Sequence, residues 1–453
     1  MSLQLDLDDI QGLLVRGYGA LPHATYLLLH ITDRSAARET MRHWSQEVTT
    51  AGVAPDRVAT NIALTASGIA TLGDPTQVAG FSHHFDEGMV TPHRSRLLGD
   101  VDDDDPARWQ WGGPGTDTVH VLVLVYAADP AALAARCDAL SDGPGLRLVQ
   151  HLDTAPVTPT ESFGFADGIS QPWLEGLGPA RNGGDLVRAG EFVLGYPNEH
   201  DQLTPRPLLP EGSDPDGLLP RDRASGAGDL GRNGSYLVMR QLRQDVDGFW
   251  AHLDRAATGS DGQVDVAQRD LLAAKLMGRW PSGTSLVVSP EHDDPALSTV
   301  NDFGYAEVDA RGLRCPVGSH VRRTNPRDSL EPSPGTDESR RINRRHRLLR
   351  RGRVYGGPGA EQGLHFICLG GNLARQYEFV QHTWVNNPDF DGLYGEEDPV
   401  IGPRRLDESR FSVPDEPVRR RLHELPKFVQ VRGGGYFFLP GVRALRYLVR
   451  QRR

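Results

Sequence analysis

Strand-like and helix-like segments alternate along this sequence, and that alternation narrows the possible folds more than any other feature. Residues 24–32 form an apolar run typical of a β-strand, and residues 35–52 continue with helical spacing and end in glycine. Residues 119–126 form a second strand-like run, and a helix-like segment rich in Ala and Leu begins at Asp129. A third strand-like segment covers residues 146–157. This order predicts a unit of α+β type, in which helices cover one face of an antiparallel sheet.

The C-terminal part of the sequence repeats this plan. Residues 234–257 and residues 363–385 each start as a strand and continue as a helix, and residues 434–449 close the chain in the same way. The likeness lies in the pattern and not in residue identity. We therefore predict two α+β halves of similar plan.

A long segment separates the two halves. Residues 182–233 are rich in Gly, Pro, Asp and Arg and have no sustained periodicity. We interpret this segment as a long surface loop. Because loops of such length in compact domains often serve function, a lid over a site is the alternative.

Charge and hydropathy exclude two classes of partner. The chain has 453 residues, with 49 basic and 60 acidic side chains and a formal net charge of −11. This balance argues against a dedicated nucleic-acid binder, whose domain is usually basic. No apolar run approaches the roughly 18–20 residues that a membrane span needs. We expect neither a nucleic acid nor a membrane as a partner.

The cysteines and the N-terminal sequence bear on the compartment. Cys137, Cys315 and Cys368 are far apart and form no CxxC pair, which fits a reducing compartment and gives no disulfide or zinc framework. The sequence MSLQLDLDDIQGLL is acidic where a signal peptide is basic, and no twin-arginine signal is present. We expect a cytoplasmic protein, and secretion without a cleaved signal stays open.

Three short stretches carry the candidate chemistry. In the first, Asp167 stands between glycines and follows Phe163 and Phe165. One interpretation is a tight turn, since Asp and Gly are turn formers. The other is that the glycines let the backbone approach a bulky planar ligand, while burial raises the pKa of Asp167 and makes it an acid or base.

The second stretch is centred on His320, with Arg322, Arg323 and Arg327 close behind it. A single histidine is most often a surface or core residue. In this company, a neutral imidazole could bind a metal while the guanidinium groups hold anionic groups such as carboxylates.

The third stretch is residues 340–353, in which eight of fourteen residues are Arg. It is interpreted as a basic surface or as a nucleic-acid patch. Strand alternation near Arg350 would instead turn some arginines inward, toward a pocket that also holds a carboxylate. The sequence has no HExxH, no Walker A, and no GxSxG or GxGxxG at a strand–helix junction. A single ligating histidine suits haem, in which the porphyrin supplies four further ligands.

These stretches resemble motifs of the dye-decolorizing peroxidases. The signature GxxDG of that family is matched by FGFADGISQP, its proximal-histidine motif by GSHVRRTNPRD, and its distal-arginine strand by HRLLRRGRVYG. The three motifs occur in the family's order, and the resemblance runs through most of the chain. The long middle segments and the arginine-rich stretch after His320 are similar to the larger, advanced branch of that family.

The resemblance implies an α+β fold of two ferredoxin-like halves, each an antiparallel sheet with helices packed on one face, of the dimeric α+β barrel type. It implies an N-terminal ferredoxin-like domain at residues 1–215, which includes the GxxDG motif. A C-terminal ferredoxin-like domain at residues 216–453 would bind the haem.

The resemblance also implies a haem-dependent peroxidase whose cofactor is haem b, iron protoporphyrin IX. His320 would be the fifth ligand of the iron, and a carboxylate would hydrogen-bond its other ring nitrogen, with Asp398 as first choice and Glu378 as second. Asp167 would relay a proton between the oxygens of hydrogen peroxide, and Arg350 would stabilise the charge that develops. Because an aspartate of low pKa works as a base in acid, we expect an acidic pH optimum.

Further assignments follow from the same resemblance. Arg322 and Arg323 would contact the haem propionates, and Arg351 would replace Arg350 if the alignment shifts by one residue. The partners would be hydrogen peroxide and an aromatic electron donor, such as a dye or a phenol, oxidised through a ferryl porphyrin-radical intermediate. A homo-oligomer is compatible with the sequence.

Two other functions stay open from the sequence. A haem-binding or haem-handling protein without significant turnover would keep His320 but would need neither Asp167 nor Arg350. A polyanion-binding protein would use the arginines of residues 340–353.

Overall fold

The computed structural model describes residues 3–73, 80–141, 143–177, 185–404 and 409–450. Its centre is a nine-stranded antiparallel sheet that combines strands from both halves of the chain. Within these ranges, every helix is too short or too polar to cross a membrane.

The described residues of the first half form four strands and five α-helices. In chain order these are β1 (His23–Ile31), α1 (Arg34–Trp44), β2 (Val58–Leu64), α2 (Ala66–Leu72), α3 (His83–Glu87), α4 (Pro92–Leu98), β3 (Val121–Ala127), α5 (Pro130–Ser141) and β4 (Leu146–Asp153). The strands lie in the order β2–β3–β1–β4, and α1 and α5 each connect two of them, which is the ferredoxin-like arrangement. The Asp33 side chain caps α1 by accepting a hydrogen bond of 2.7 Å from the backbone N–H of Ala36.

The described residues between β4 and the next long strand include four strands of two residues each, of which the last three lie in the connecting segment, residues 182–233. They are β5 (Trp173–Leu174), β6 (Leu186–Val187), β7 (Leu208–Leu209) and β8 (Gly228–Asp229), and they pair as β5 with β6 and β7 with β8. Residues 182–184 of the predicted loop lie outside the described residues. The predicted domain boundary at residues 215 and 216 falls between β7 and β8 and stays a prediction.

The interpretation of this segment as a surface loop is wrong for several of its apolar side chains. Phe192 and Leu194 are fully buried, and Leu209 and Leu230 also pack into the hydrophobic core. The lid alternative gains no support either, because none of the segment's described residues lines the central cavity.

The second half contributes the remaining strands and helices. In chain order these are β9 (Ser235–Gln244), α6 (Val246–Ala256), α7 (Val266–Met277), α8 (His320–Thr324), α9 (Asp337–Arg344), β10 (Leu349–Arg350), β11 (Arg353–Tyr355), β12 (Gly363–Gly370), β13 (Arg410–Val413), β14 (Arg420–His423), β15 (Val429–Leu439) and α10 (Val442–Leu448). A wide helical segment at residues 374–385 follows β12. The sheet strands lie in the order β10/β11–β12–β9–β15, so the strand order of the first half is repeated, whereas β13 and β14 form a separate hairpin.

The two halves meet edge to edge and share their core. Phe438 of β15 pairs with Leu64 of β2, and the backbone N–H of Ala155, just beyond β4, donates to the carbonyl of Val354 in β11 at 2.9 Å. Alternate residues of β1 point to opposite faces of the sheet: Leu27 joins one core cluster and Leu28 the other. Each cluster also contains side chains of β9, β12 and β15, so both cores extend across the junction. The prediction of an α+β fold with two ferredoxin-like halves is confirmed.

Candidate active site

His320 is the first residue of the short helix α8. Its Nδ1 lies 2.9 Å from Oδ2 of Asp398, and the other oxygen of Asp398 accepts the backbone N–H groups of Val400 and Ile401 at 2.8 and 2.9 Å. Since a carboxylate can only accept, Nδ1 of the ring carries the proton. This leaves Nε2 of His320 as the nitrogen that is able to bind a metal.

Neighbouring charges determine the pKa values of Asp398 and His320. Burial by itself would raise the pKa of Asp398, but the charge and hydrogen bond of His320, the charge of Arg323 and the N–H of Ile401 lower it to about 2. Burial would likewise lower the pKa of His320, and the attraction of Asp398 outweighs burial and raises it. Asp398 is therefore ionised in the folded protein.

The alternative partner, Glu378, serves another part of the molecule. Its two oxygens bind Nη1 of Arg94 at 2.6 Å and the hydroxyl of Tyr436 at 2.9 Å. The structure thus brings Asp398, and not Glu378, to the ring of His320.

Asp167 lies in a loop that Glu161 holds in shape. The carboxylate of Glu161 accepts the backbone N–H groups of Phe163 and Phe165 at 3.0 Å each. Gly164 and Gly168 have φ values of 99° and 83°, which glycine adopts without steric cost. The glycines around Asp167 therefore make the turn that one sequence interpretation predicted, and the same turn presents the carboxylate to the cavity.

Arg350 meets Asp167 at this point. Its Nη2 lies 3.2 Å from Oδ1 of Asp167, and the same oxygen accepts the backbone N–H of Gly168 at 2.6 Å. The Asp167 side chain is 54 % accessible because it faces the cavity, although protein surrounds it closely on the other sides. Burial would raise the pKa of Asp167, as the sequence analysis expected, but the Arg350 charge and the Gly168 N–H outweigh burial and lower it.

Arg351 points the other way. Its guanidinium donates to the carbonyls of Leu13 and Leu14 at 2.7 and 3.1 Å, and burial lowers its pKa to about 10. Among the described residues, Arg351 makes no contact with Asp167, so Arg350, and not Arg351, is the arginine beside that carboxylate.

The three predicted residues line one cavity. His320, Asp167 and Arg350 face it together with mainly apolar side chains, which include Phe163, Phe165, Leu242, Met277, Phe366 and Ile401. Three more guanidinium groups also line it. Arg240 is paired with Asp100 at 3.0 Å, and burial lowers the pKa of Arg279 and of Arg347 to about 10. An apolar cavity with one free imidazole nitrogen and several cations fits a flat, apolar ligand that carries a metal and carboxylates.

A bare metal ion does not fit as well. Within the described ranges, no three side chains of His, Cys, Asp or Glu come close enough together to hold one. The single imidazole therefore needs a ligand that brings most of the metal's coordination with it.

Arg322 and Arg323 correct one prediction. Arg322 is 1 % exposed and donates to the carbonyls of Asp309 and Cys315 at 3.0 and 2.8 Å. Arg323 is fully buried and donates to four backbone carbonyls, those of Gly318, Trp384, Asn387 and Glu396. Neither lines the cavity, so neither is available to a haem propionate. Both guanidinium groups are committed to backbone carbonyls that the fold brings to them.

The arginines of residues 340–353 are dispersed. Arg344 pairs with Glu199 at 3.3 Å, and Arg353 donates to the carbonyls of Tyr18 and Leu21 at 2.8 Å each. Because these arginines bind different parts of the protein, they do not form a continuous basic surface that could bind a polyanion.

Sequence reasoning missed Glu161, Gln171, Arg279 and Arg347. Glu161 and Gln171 stand inside or beside the motif that contains Asp167, so their position in the sequence was the available signal. Arg347 lies in the arginine-rich stretch at residues 340–353, whose pattern indicated inward arginines without distinguishing among them, whereas Arg279 is brought to the cavity by the fold.

Comparisons with known proteins point in one direction. No family model matches the sequence. A multifunctional dye peroxidase of Amycolatopsis sp. is 30% identical over 432 residues, which cover 85% of this chain and 81% of that protein. A dye-decolorizing peroxidase of Exidia glandulosa is 28% identical over 422 residues, covering 86% of this chain and 75% of that protein. The crystal structure of a fungal DyP-type peroxidase from Auricularia auricula-judae superposes with a TM-score of 0.80 at 24% identity, over 99% of this chain and 100% of that one.

Proposed function

The chain belongs to the dye-decolorizing peroxidase family, and from this premise we propose that its cavity binds haem b through His320 and that Asp167 and Arg350 act there on hydrogen peroxide. The protein is a peroxidase, and its reducing substrates are organic donors of the dye and phenol class. One observation carries the assignment of residues: a carboxylate paired with a guanidinium and an imidazole with one free nitrogen line the same apolar cavity.

His320 would hold the iron through Nε2. Haem bound there would supply the iron at which the O–O bond of peroxide is broken, and it would store the oxidising equivalents of peroxide until organic donors reduce it. Asp398 keeps the proton on Nδ1 of His320 and directs Nε2 to the metal, and its negative charge makes the ring a stronger electron donor. Arg279 and Arg347 are the cavity-lining cations that would face the carboxylates of the haem.

Asp167 and Arg350 would divide the work on peroxide. Because the pKa of Asp167 is lowered, its carboxylate is ready to accept a proton from one peroxide oxygen and to deliver it to the other. Arg350, at 3.2 Å from that carboxylate, places a fixed positive charge where negative charge grows as the O–O bond breaks.

The test uses the purified protein with its haem. Intense absorption near the blue edge of the visible spectrum, altered by hydrogen peroxide and restored by a phenolic donor, is the expected result. His320→Ala should abolish haem retention, whereas Arg350→Leu should retain haem and react with peroxide about 100-fold more slowly. The control is Arg311→Leu, which removes an exposed guanidinium that pairs with Glu416 outside the cavity and should leave the peroxide rate within about threefold of wild type. An unchanged rate in the Arg350 variant would show that another residue serves as the distal cation.

The haem-handling alternative finds less support. It requires His320 but gives no role to the Asp167–Arg350 pair, and that pair is preserved with its hydrogen bond. Haem binding without any peroxide-dependent oxidation of a donor would favour the alternative.

We also propose a cytoplasmic location. Cys137, Cys315 and Cys368 are all buried and all free, which agrees with the reducing compartment expected from the sequence. Fractionation of cells that produce the protein, with detection by antibody, is the test.

A further inference from the structure

The side chain of Gln171 binds both backbone groups of Arg350. Its Oε1 accepts the N–H of Arg350 at 3.1 Å, and its Nε2 donates to the carbonyl of Arg350 at 3.3 Å. The amide of Gln171 therefore makes the same pair of backbone hydrogen bonds with Arg350 that a neighbouring strand makes with a residue inside a sheet.

The position of Arg350 makes this clamp necessary. β10 has only two residues, and its single strand partner is β12. Arg350 lies opposite Cys368, and the next residue, Arg351, donates its N–H to Ile367 of β12 at 2.7 Å. Since such bonds alternate along an antiparallel pair, the N–H and C=O of Arg350 itself point away from β12. Gln171 binds the N–H of Arg350 at this edge, and it shares the carbonyl of Arg350 with Nη1 of Arg351, which donates to it at 3.0 Å.

The same loop therefore holds Arg350 at two points. Asp167 binds its guanidinium, and Gln171, four residues later, binds its backbone. The loop is anchored in turn at Ser170, whose carbonyl accepts Nη2 of Arg347 at 2.6 Å and whose hydroxyl accepts Nδ2 of Asn325 at 3.2 Å. The loop and the strand end consequently form one rigid unit.

We propose that Gln171 is a positioning residue for the peroxide reaction, which fixes the guanidinium of Arg350 relative to the carboxylate of Asp167 by clamping the backbone of Arg350. This inference rests on the proposed roles of Asp167 and Arg350. A rotation of the Arg350 backbone would displace its long side chain, and displacements of about 1 Å in a catalytic arrangement cost up to about 100-fold in rate.

The first experiment is Gln171→Met, which keeps the length of the side chain and removes both polar groups. The haem absorption should be retained, and the second-order rate with hydrogen peroxide should fall about 10- to 100-fold. The acid limb of the pH–rate profile should also move to higher pH, because a displaced guanidinium stabilises the Asp167 carboxylate less. A merely structural role for Gln171 would move neither.

The chain offers a matched control in Gln11. Its amide clamps the backbone of Ile62 in the same two-way manner, at 2.8 and 2.9 Å, and neither residue lines the cavity. Gln11→Met should lower the stability but leave the peroxide rate and its pH profile within about threefold of wild type. Equal rate losses in both variants would overturn the inference.

A second measurement needs no variant. Hydrogen exchange in the wild-type holoenzyme should show the Arg350 amide protected to the level of the β12 amides, despite its place on a sheet edge. Exchange as fast as that of an exposed amide would overturn the inference, as would a normal peroxide rate in Gln171→Met when Arg350→Leu is slow. A normal rate in Arg350→Leu itself would instead overturn the proposed function of that arginine.

Discussion

At the scale of single residues, burial and local charge oppose each other at both carboxylates of the site. Asp167 and Asp398 would each have a raised pKa from burial, and each has a lowered one because specific partners surround it. The partner of Asp167 is Arg350, and the partner of Asp398 is His320. Ionisation at this site is therefore set by pairs of residues, and it changes when one partner is removed.

The pH dependence of the peroxide reaction tests the first pair. The pKa of Asp167 lies below its ordinary value, so the wild-type rate should persist into acid and fall only as that carboxylate becomes protonated. In Arg350→Leu the compensating charge is gone, while burial and the nearby Glu161 carboxylate remain, so the acid limb should move to higher pH. Stopped-flow rates with peroxide across the acid range measure this shift. An acid limb at the same pH in both proteins would show that Asp167 is not the titrating base.

Asp398→Asn tests the second pair. Loss of the negative charge makes the His320 ring a weaker donor, so the reduction potential of the bound iron should rise and the peroxide rate should fall roughly 10- to 100-fold. Potentiometric titration of the haem absorption measures the first effect. Glu378→Gln is the control, since Glu378 binds Arg94 and Tyr436 and should not alter the potential.

The sequence motifs identified residues that lie together in the structure, but the sequence did not show which way the arginine side chains point. Asp167, His320 and Arg350 lie in recognisable stretches, and the structure brings them to one cavity. The arginines after His320 were misjudged because a guanidinium binds whichever carbonyls the fold supplies. For Arg323 these include Trp384 and Glu396, which are more than sixty residues away in the chain.

At the scale of elements, the short helix α8 owes its place to buried hydrogen bonds more than to its own length. It has five residues, and Arg323 within it ties it to the end of the wide helical segment and to the loop that follows. The Ser319 hydroxyl donates to the carbonyl of Lys275 in α7 at 2.5 Å. These anchors hold His320 against Asp398.

Arg323→Met should therefore destabilise the protein strongly. It would leave several buried carbonyls without donors, at a cost of about 3–5 kcal/mol in the free energy of unfolding. Urea denaturation followed by far-ultraviolet circular dichroism gives the value. Arg311 is exposed and pairs with Glu416 on the surface, and Arg311→Met should change the stability by less than about 0.5 kcal/mol. Similar losses in both variants would contradict the anchoring role.

Periodic elements were predictable, whereas the connecting segment was not. The apolar run of β3 is buried along its whole length, as a strand with a core on both faces requires. The connecting segment has no period because its side chains reach the core from irregular backbone. Phe192 and Leu230 are fully buried there without belonging to any helix longer than one turn or any long strand.

At the scale of the whole molecule, two units of repeated plan share one interior. We propose residues 1–215 and 216–453 as these units, on the basis of the strand order that both repeat. Both hydrophobic clusters nevertheless contain side chains from each unit, and the carboxylate of the site comes from the first while the imidazole and guanidinium come from the second. Neither unit contains the complete site.

Unfolding should accordingly be a single cooperative event. Loss of the haem absorption and loss of circular dichroism should follow the same curve as denaturant rises, because neither unit keeps a complete core when the other unfolds. Two separate transitions would show that the units fold independently.

The contacts of Arg351 with Leu13 and Leu14, and those of Arg353 with Tyr18 and Leu21, have a practical consequence. These hydrogen bonds hold residues 13–21 against the strand ends that flank Arg350. This N-terminal segment therefore supports the position of Arg350 in the cavity wall. An affinity tag added ahead of Met1 should leave those hydrogen bonds in place. Removal of residues 1–22 to obtain a shorter crystallisation target would eliminate these four contacts and the bond from Arg353 to the Gly17 carbonyl at 3.3 Å, and it would loosen the part of the cavity wall that presents Arg350.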